Sequence, residues 1–126
     1  MNKWTRDELD RFGAAEEIEL EPVGSYDALR KAVTIWIVRL GDDLYVRSAY
    51  GRASAWFRAL QRNHQGRISC KVINKDVTFL PADRDLNEEI DAAYRGKYHR
   101  NGAQYVNMMV SPTARSVTIK LTPRPS

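Results

Sequence analysis

The chain has 126 residues, 43% of them hydrophobic and 29% charged, with a formal net charge of +4. This is the make-up of a single soluble globular domain, large enough to bury roughly two thirds of its unfolded surface. No apolar run approaches the roughly 18 residues of a membrane span, the opening MNKWTRDELD lacks the apolar stretch of a signal peptide, and a single cysteine, Cys70, excludes an internal disulfide, so a cytoplasmic, reducing setting is expected.

The charge is uneven along the chain. Residues 1–27 carry eight acidic and three basic side chains, a balance of −5, whereas residues 28–126 carry eight and seventeen, a balance of +9. The acidic part can lie against the basic part, within one chain or across a dimer, or the basic remainder can meet an anionic ligand. The basic residues are dispersed and form no run, which disfavours nucleic acid.

Thr5 and Glu8 have the spacing of a capping box, and Trp4 with Leu9 that of a hydrophobic staple, so a short helix is predicted to end near Gly13. Residues 17–21 alternate strictly and read as a half-buried strand, which Pro22 places at a sheet edge. Residues 24–30 read as a turn or a brief helix. The run 34–40 is apolar on both faces, with Ile35 and Ile37 on one and Trp36 and Val38 on the other, as in a strand covered on both sides. Gly41-Asp42-Asp43 turns it into a second strand, 44–49, that points Leu44, Val46 and Ser48 one way and Tyr45, Arg47 and Ala49 the other.

Ala53, Trp56, Phe57 and Leu60 form one apolar stripe of a helix, with Ser54 placed as its N-cap. A strand over 67–73, a turn at Asn74-Lys75-Asp76 and a strand over 77–80 make a further hairpin. Asp85 and Glu88 open a helix whose buried stripe is Leu86, Ile90, Ala93, Tyr94 and Tyr98. Residues 103–110 fit a short helix or a strand, Pro112 breaks them, and 116–122 alternate as a final strand. Six or so strands with two or three helices in this length fit a compact antiparallel barrel flanked by helices.

Little of the usual catalytic chemistry is present. One cysteine and two histidines, His64 and His99, give no cluster with ligand spacing, so no metal is expected. There is no G-x-S-x-G turn, P-loop or G-x-G-x-x-G. The loop Ser48-Ala49-Tyr50-Gly51-Arg52-Ala53-Ser54 stands out instead. Its small residues let backbone amides approach a ligand, Gly51 permits a positive φ, and Arg47, Arg52 and Arg58 surround a helix start, a seat for phosphate. The plainer reading is a capped strand-to-helix turn with ordinary surface arginines. A second cluster, Tyr94, Arg95, Lys97, Tyr98, His99 and Arg100, interleaves aromatics with cations. It can face a planar anionic ligand or stack on single-stranded nucleic acid, although the helical spacing of Tyr94 and Tyr98 favours packing.

Trp4-Thr5, residues 34–52, Trp56-Phe57-Arg58, residues 90–98 and residues 109–115 resemble a family of small bacterial proteins catalogued as domain of unknown function 2255. The likeness spans nearly the whole chain and departs from the pattern at 26–31 and at His64-Gln65. That family is distantly similar to the FMN- and deazaflavin-binding split barrels, which include nitroreductases dependent on coenzyme F420. The block Val46 to Gly51 followed by Trp56 carries this second similarity.

The resemblance implies an α+β fold with an antiparallel split β-barrel and flanking helices, a homodimer with its ligand groove near the subunit interface, and binding of FMN or F420. It leaves oxidoreductase activity open. Ser48, Ala49, Gly51 and Arg52 would then hold the phosphate with Arg47 and Arg58, and Tyr50 or Tyr98 would contact the ring. The rival readings are a cofactor-free barrel that binds a small anion or a partner, and a nucleic-acid binder.

Overall fold

The alternating segments form seven strands: β1 (Ile18–Pro22), β2 (Val33–Ile35), β3 (Val38–Leu40), β4 (Asp43–Arg47), β5 (Gln65–Cys70), β6 (Ile73–Pro81) and β7 (Thr118–Pro123). Five α-helices accompany them among the described residues: α1 (Arg6–Ala14), α2 (Ala55–Asn63), α3 (Asn87–Tyr98), α4 (Ala103–Met109) and α5 (Pro112–Arg115). The structure is a computed structural model that describes residues 3–22, 32–71 and 73–124, the side chains of Arg62 and Asn63 excepted. The turn or helix expected at 24–30 lies outside these residues.

All strands pair antiparallel in one sheet of order β2-β1-β5-β6-β7-β4-β3. The two ends of that order, β2 and β3, are separated in the chain by only Trp36 and Ile37. The single strand expected over 34–40 is therefore broken in two. Its first part pairs with β1 and its second with β4. The sheet curls until both of its ends meet at this break, giving an α+β split barrel.

The two faces of the broken run separate two cores. Ile37, fully buried, and Ile35 point into the barrel with Leu20, Leu44, Val46, Ile68, Val77, Phe79 and Leu121. Trp36 and Val38 point outward to Tyr45, Ile90, Tyr94, Tyr98, Val106 and Met109, where α3 and α4 cover the sheet. One end of the barrel is closed by α1, which contributes Leu9 and Phe12, with Trp4 donating its indole N–H to the Leu121 carbonyl at 3.0 Å. The capping box forms as the spacing implies: Thr5 Oγ1 accepts from the Glu8 amide at 3.1 Å, and Glu8 accepts from the Thr5 amide at 2.8 Å.

A break between strands frees backbone groups that need other partners. Tyr98, from the last turn of α3, supplies them. Its hydroxyl accepts from the Ile37 N–H at 3.1 Å and donates to the Glu16 carbonyl at 2.7 Å. Lys97 Nζ donates to the Ile37 carbonyl at 2.6 Å. Burial pulls the Lys97 amine down to about 8, so it still carries its proton at neutral pH and donates in its charged form.

Several local expectations need correction. β1 is an interior strand, lying between β2 and β5, and Pro22 occupies its last position, where a missing N–H removes no more than a terminal bond. The β5–β6 hairpin reverses between Cys70 and Ile73, not at Asn74-Lys75-Asp76, whose residues pair in the ladder with Ser69, Ile68 and Arg67. Asn74 and Asp76 lie on one face of β6, where Asp76 pairs with Arg67, and Lys75 lies on the other, where it pairs with Glu8. Asp83, not Asp85, caps the turn before α3. Residues 103–109 are helical, and Pro112 starts α5 behind its Ser111 cap.

Arg47 is the largest correction. Sequence alternation puts it on the outward face of β4, and there it is 1% exposed beneath α3, α4 and α5. Its Nε donates to Thr118 Oγ1 at 2.9 Å, Nη1 to Asp91 and to the Met109 carbonyl at 2.9 Å, and Nη2 to the Asn87 carbonyl and side-chain oxygen, both at 3.2 Å. Asp91, also 1% exposed, receives Arg115 on its other oxygen. Burial alone would push the Asp91 carboxyl up, but the hydrogen bonds and charges of Arg115 and Arg47 outweigh it and hold the group below the ordinary carboxylate value.

Two outcomes follow from these contacts. Asp91→Asn leaves a buried guanidinium unneutralised and should cost about 3–5 kcal/mol in a urea titration at neutral pH. Because the folded carboxyl sits below its unfolded pKa of about 3.9, its contribution is full above that value and fades as pH falls through the folded one. The native protein should therefore lose this share of its stability in acid and the variant should not; parallel acid profiles would remove Asp91 from the account. Tyr98→Phe orphans the buried Ile37 N–H and should cost about 1–3 kcal/mol, with faster hydrogen exchange at that amide. Unchanged exchange there would mean the break is held by other groups.

Candidate functional site

The chain leaves β4 after Arg47 and reaches α2 through the loop that the sequence marks as an anion seat. Much of that seat is closed. The Ser48 amide donates to the Val117 carbonyl at 3.2 Å, the Gly51 amide to Ser48 at 3.0 Å, and the Ala53 amide to Tyr50 at 3.3 Å. Gly51 does adopt a positive φ of 60°, and a side chain there would come within 2.9 Å of Thr113 Cγ2. The glycine thus serves close packing against α5 rather than ligand approach.

Ser48 Oγ donates to the Gly51 carbonyl at 2.7 Å and also meets Ser54 Oγ. Ser54 therefore stands at the N-cap of α2 with its hydroxyl turned toward the loop. The helix start carries no side-chain cap. Its first-turn N–H groups remain the available donors, at the helix start that Ser54 marks in the sequence.

Beside this helix start lies a pocket of about 300 Å³, walled by Ile35 and Trp36 at the strand break, by Ala49, Ser54 and Trp56, and by Tyr105 and Met108 of α4. Trp36 stacks on Tyr98 with ring centroids 3.9 Å apart and planes 3° from parallel, which fixes one wall. Tyr50, Tyr105 and Met108 are 69%, 53% and 39% exposed at the mouth. Arg47 and Met109 form the floor, and the Arg47 charge there is already neutralised by Asp91.

The eight residues singled out from sequence are dispersed by this geometry. Arg47, Ala49 and Tyr50 line the pocket, but Arg47 has all five of its N–H groups committed inside the fold. Ser48 and Gly51 are buried in the loop's own bonding. Arg52 turns away, with its guanidinium carbon 6.0 Å from the centre of the Phe57 ring, and lines a different cleft. Arg58 is exposed on α2, and Tyr98 lies behind Trp36, outside the pocket.

Sequence reasoning missed Trp36, Tyr105, Met108 and Met109 as lining residues. Their one visible signal is the spacing of Tyr105, Met108 and Met109 at i, i+3 and i+4, which resolves to a wall only once 103–109 is known to be a helix. Trp56, expected in the core, packs against the barrel core and also reaches the pocket.

Comparison with known proteins bears on the fold and on kinship. No curated protein matches the sequence. HutZ, the heme storage protein from Vibrio cholerae, is 14% identical with a TM-score of 0.65, over 96% of this chain and 91% of that one. An F420 reductase is 12% identical with a TM-score of 0.54, over 94% and 92%. The FAD and heme binding protein from Mycobacterium smegmatis is 17% identical with a TM-score of 0.61, over 94% and 65%. At such identities the likeness shows the shared split barrel. A family model matches residues 8–121, and by that match the chain belongs to the family described as an uncharacterized protein conserved in bacteria (DUF2255).

Proposed function

We propose that the protein binds a flavin-type cofactor, FMN or the deazaflavin F420, with the ring in the pocket between Trp36 and Trp56. The observation that carries this reading is an aromatic and thioether-lined pocket opening beside an uncapped helix start. Cofactor sites are typically concave, mostly apolar and supplied with a few polar groups, and about 300 Å³ is the lower end of their range. The printed names of the three split barrels above, which speak of heme, F420 and FAD, also support a large planar ligand.

The residues present fit the ring of such a group better than its phosphate. Trp36 is held flat by Tyr98, so it offers a rigid face at low entropic cost. Tyr50 and Tyr105 can shield the ring edge from water. The phosphate falls to the first-turn amides of α2, where the helix dipole favours an anion. Arg58 lies three residues after Ala55, on the same helical face, and adds positive charge. Bound there, a flavin supplies hydride transfer, and the protein contributes position and electrostatics. The exposed ring of Tyr50, Tyr105 and Met108 supports a second copy of the chain as the outer wall of the pocket.

The rival is a cofactor-free barrel that takes a small anion, favoured by the internal bonding of Arg47 and the Gly51 amide. Titration of the purified protein with FMN, F420, riboflavin and heme, followed by tryptophan fluorescence and melting temperature, separates the two. FMN or F420 at a hundredfold excess over Kd should add about 2.7 kcal/mol of stability. Riboflavin, lacking the phosphate, should bind more weakly than FMN. Trp56→Ala should weaken binding about tenfold, about 1.4 kcal/mol. Response to heme alone overturns the flavin assignment, and response to none of the four leaves the cofactor-free barrel.

A further inference from the structure

A second cleft, of about 200 Å³, runs along a different face of α2, between that helix and the ends of β6 and β7. Its floor is apolar and almost fully buried: Leu60, Phe79, Val117 and Ile119 are each at most 5% exposed. Arg52 stands just before α2 and His64 just after it, both on the rim, so the cleft follows the length of the helix. Nine helical residues span about 13 Å. A small volume drawn out over that distance suits a slender chain and not a fused ring system.

The electrostatics of this cleft differ from those of the aromatic pocket. Its lining contains no Asp or Glu, and Arg52 is its one fully charged group. None of the ion pairs among the described residues involves Arg52. Its guanidinium rests over the Phe57 ring instead, 6.0 Å from the centroid, which holds its fork above the apolar floor. Leu80, 43% exposed, extends the apolar surface past the rim. The two requirements of an amphipathic anion, one cation and a dry groove leading from it, meet here.

We infer that this cleft binds a slender aliphatic carboxylate, its head on Arg52 and its chain over Leu60, Phe79 and Ile119. A carboxylate matches the planar fork of arginine, and an alkyl tail matches a groove with few polar groups. The inference is independent of the flavin reading, since the two sites share no lining residue.

The test titrates the isotope-labelled full chain with sodium octanoate and follows amide chemical shifts. Saturable changes are expected at residues 57–64, 79–81 and 116–119. Arg52→Gln should weaken octanoate at least tenfold, and Gln61→Trp, which places bulk on the rim, should abolish it. Both positions are exposed, so unchanged melting temperatures would show that the fold is kept. Octylamine, with an equal chain and the opposite charge, should leave the spectrum unmoved. Equal binding of octylamine, an unaltered affinity in Arg52→Gln, or shifts confined to Trp36, Trp56 and Tyr105 would each overturn the assignment.

Discussion

One buried guanidinium determines how the helices meet the barrel. Taking a charge out of water costs several kcal/mol, and only a near-complete set of hydrogen bonds offsets it. Arg47 obtains that set from four residues on three elements: Asp91 and Asn87 on α3, the Met109 carbonyl at the end of α4, and Thr118 on β7, while Arg115 of α5 bonds the other Asp91 oxygen. Few other arrangements of those elements satisfy the same donors. The charge thus acts as a register mark for the whole outer layer. It also explains why the pocket floor is neutral, although an arginine lies in it.

The pocket and the barrel seam are two aspects of one feature. Trp36 and Ile37 break an otherwise continuous strand, and their side chains fall on opposite faces. Ile37 closes the barrel interior, while Trp36 becomes a wall of the pocket on the outside. Tyr98 serves both, its ring against Trp36 and its hydroxyl against the Ile37 backbone. The pocket wall is therefore supported by the same residue that repairs the backbone at the seam.

Much of this was legible before any coordinates. The alternation of Ile35, Trp36, Ile37 and Val38 gave the two faces correctly, and the Thr5–Glu8 box and the Ile90, Tyr94, Tyr98 stripe gave their helices. Periodicity is a local property, and each of these depends on near neighbours in the chain. What stayed hidden depends on distant ones. Nothing within ten residues of Arg47 reveals Asp91, so an arginine on a strand face reads equally well as a phosphate ligand or as half of a buried pair. The Ser48 amide looked free because its partner, the Val117 carbonyl, arrives from almost seventy residues downstream, and the close approach of Thr113 to Gly51 is similarly distant in the chain. A break inside an apolar run likewise carries no turn residue to announce it.

The placement of β2 and β3 has a consequence for how the chain assembles. They are neighbours in sequence yet stand at the two extremes of the strand order. Local hairpins such as β3–β4 and β5–β6 can form early, but β1 with β5 and β4 with β7 close loops of tens of residues. Topologies rich in such distant pairings fold slowly. Because Trp36 and Ile37 already tie the two ends of the strand order together, the barrel closes at whichever of these distant pairings forms last.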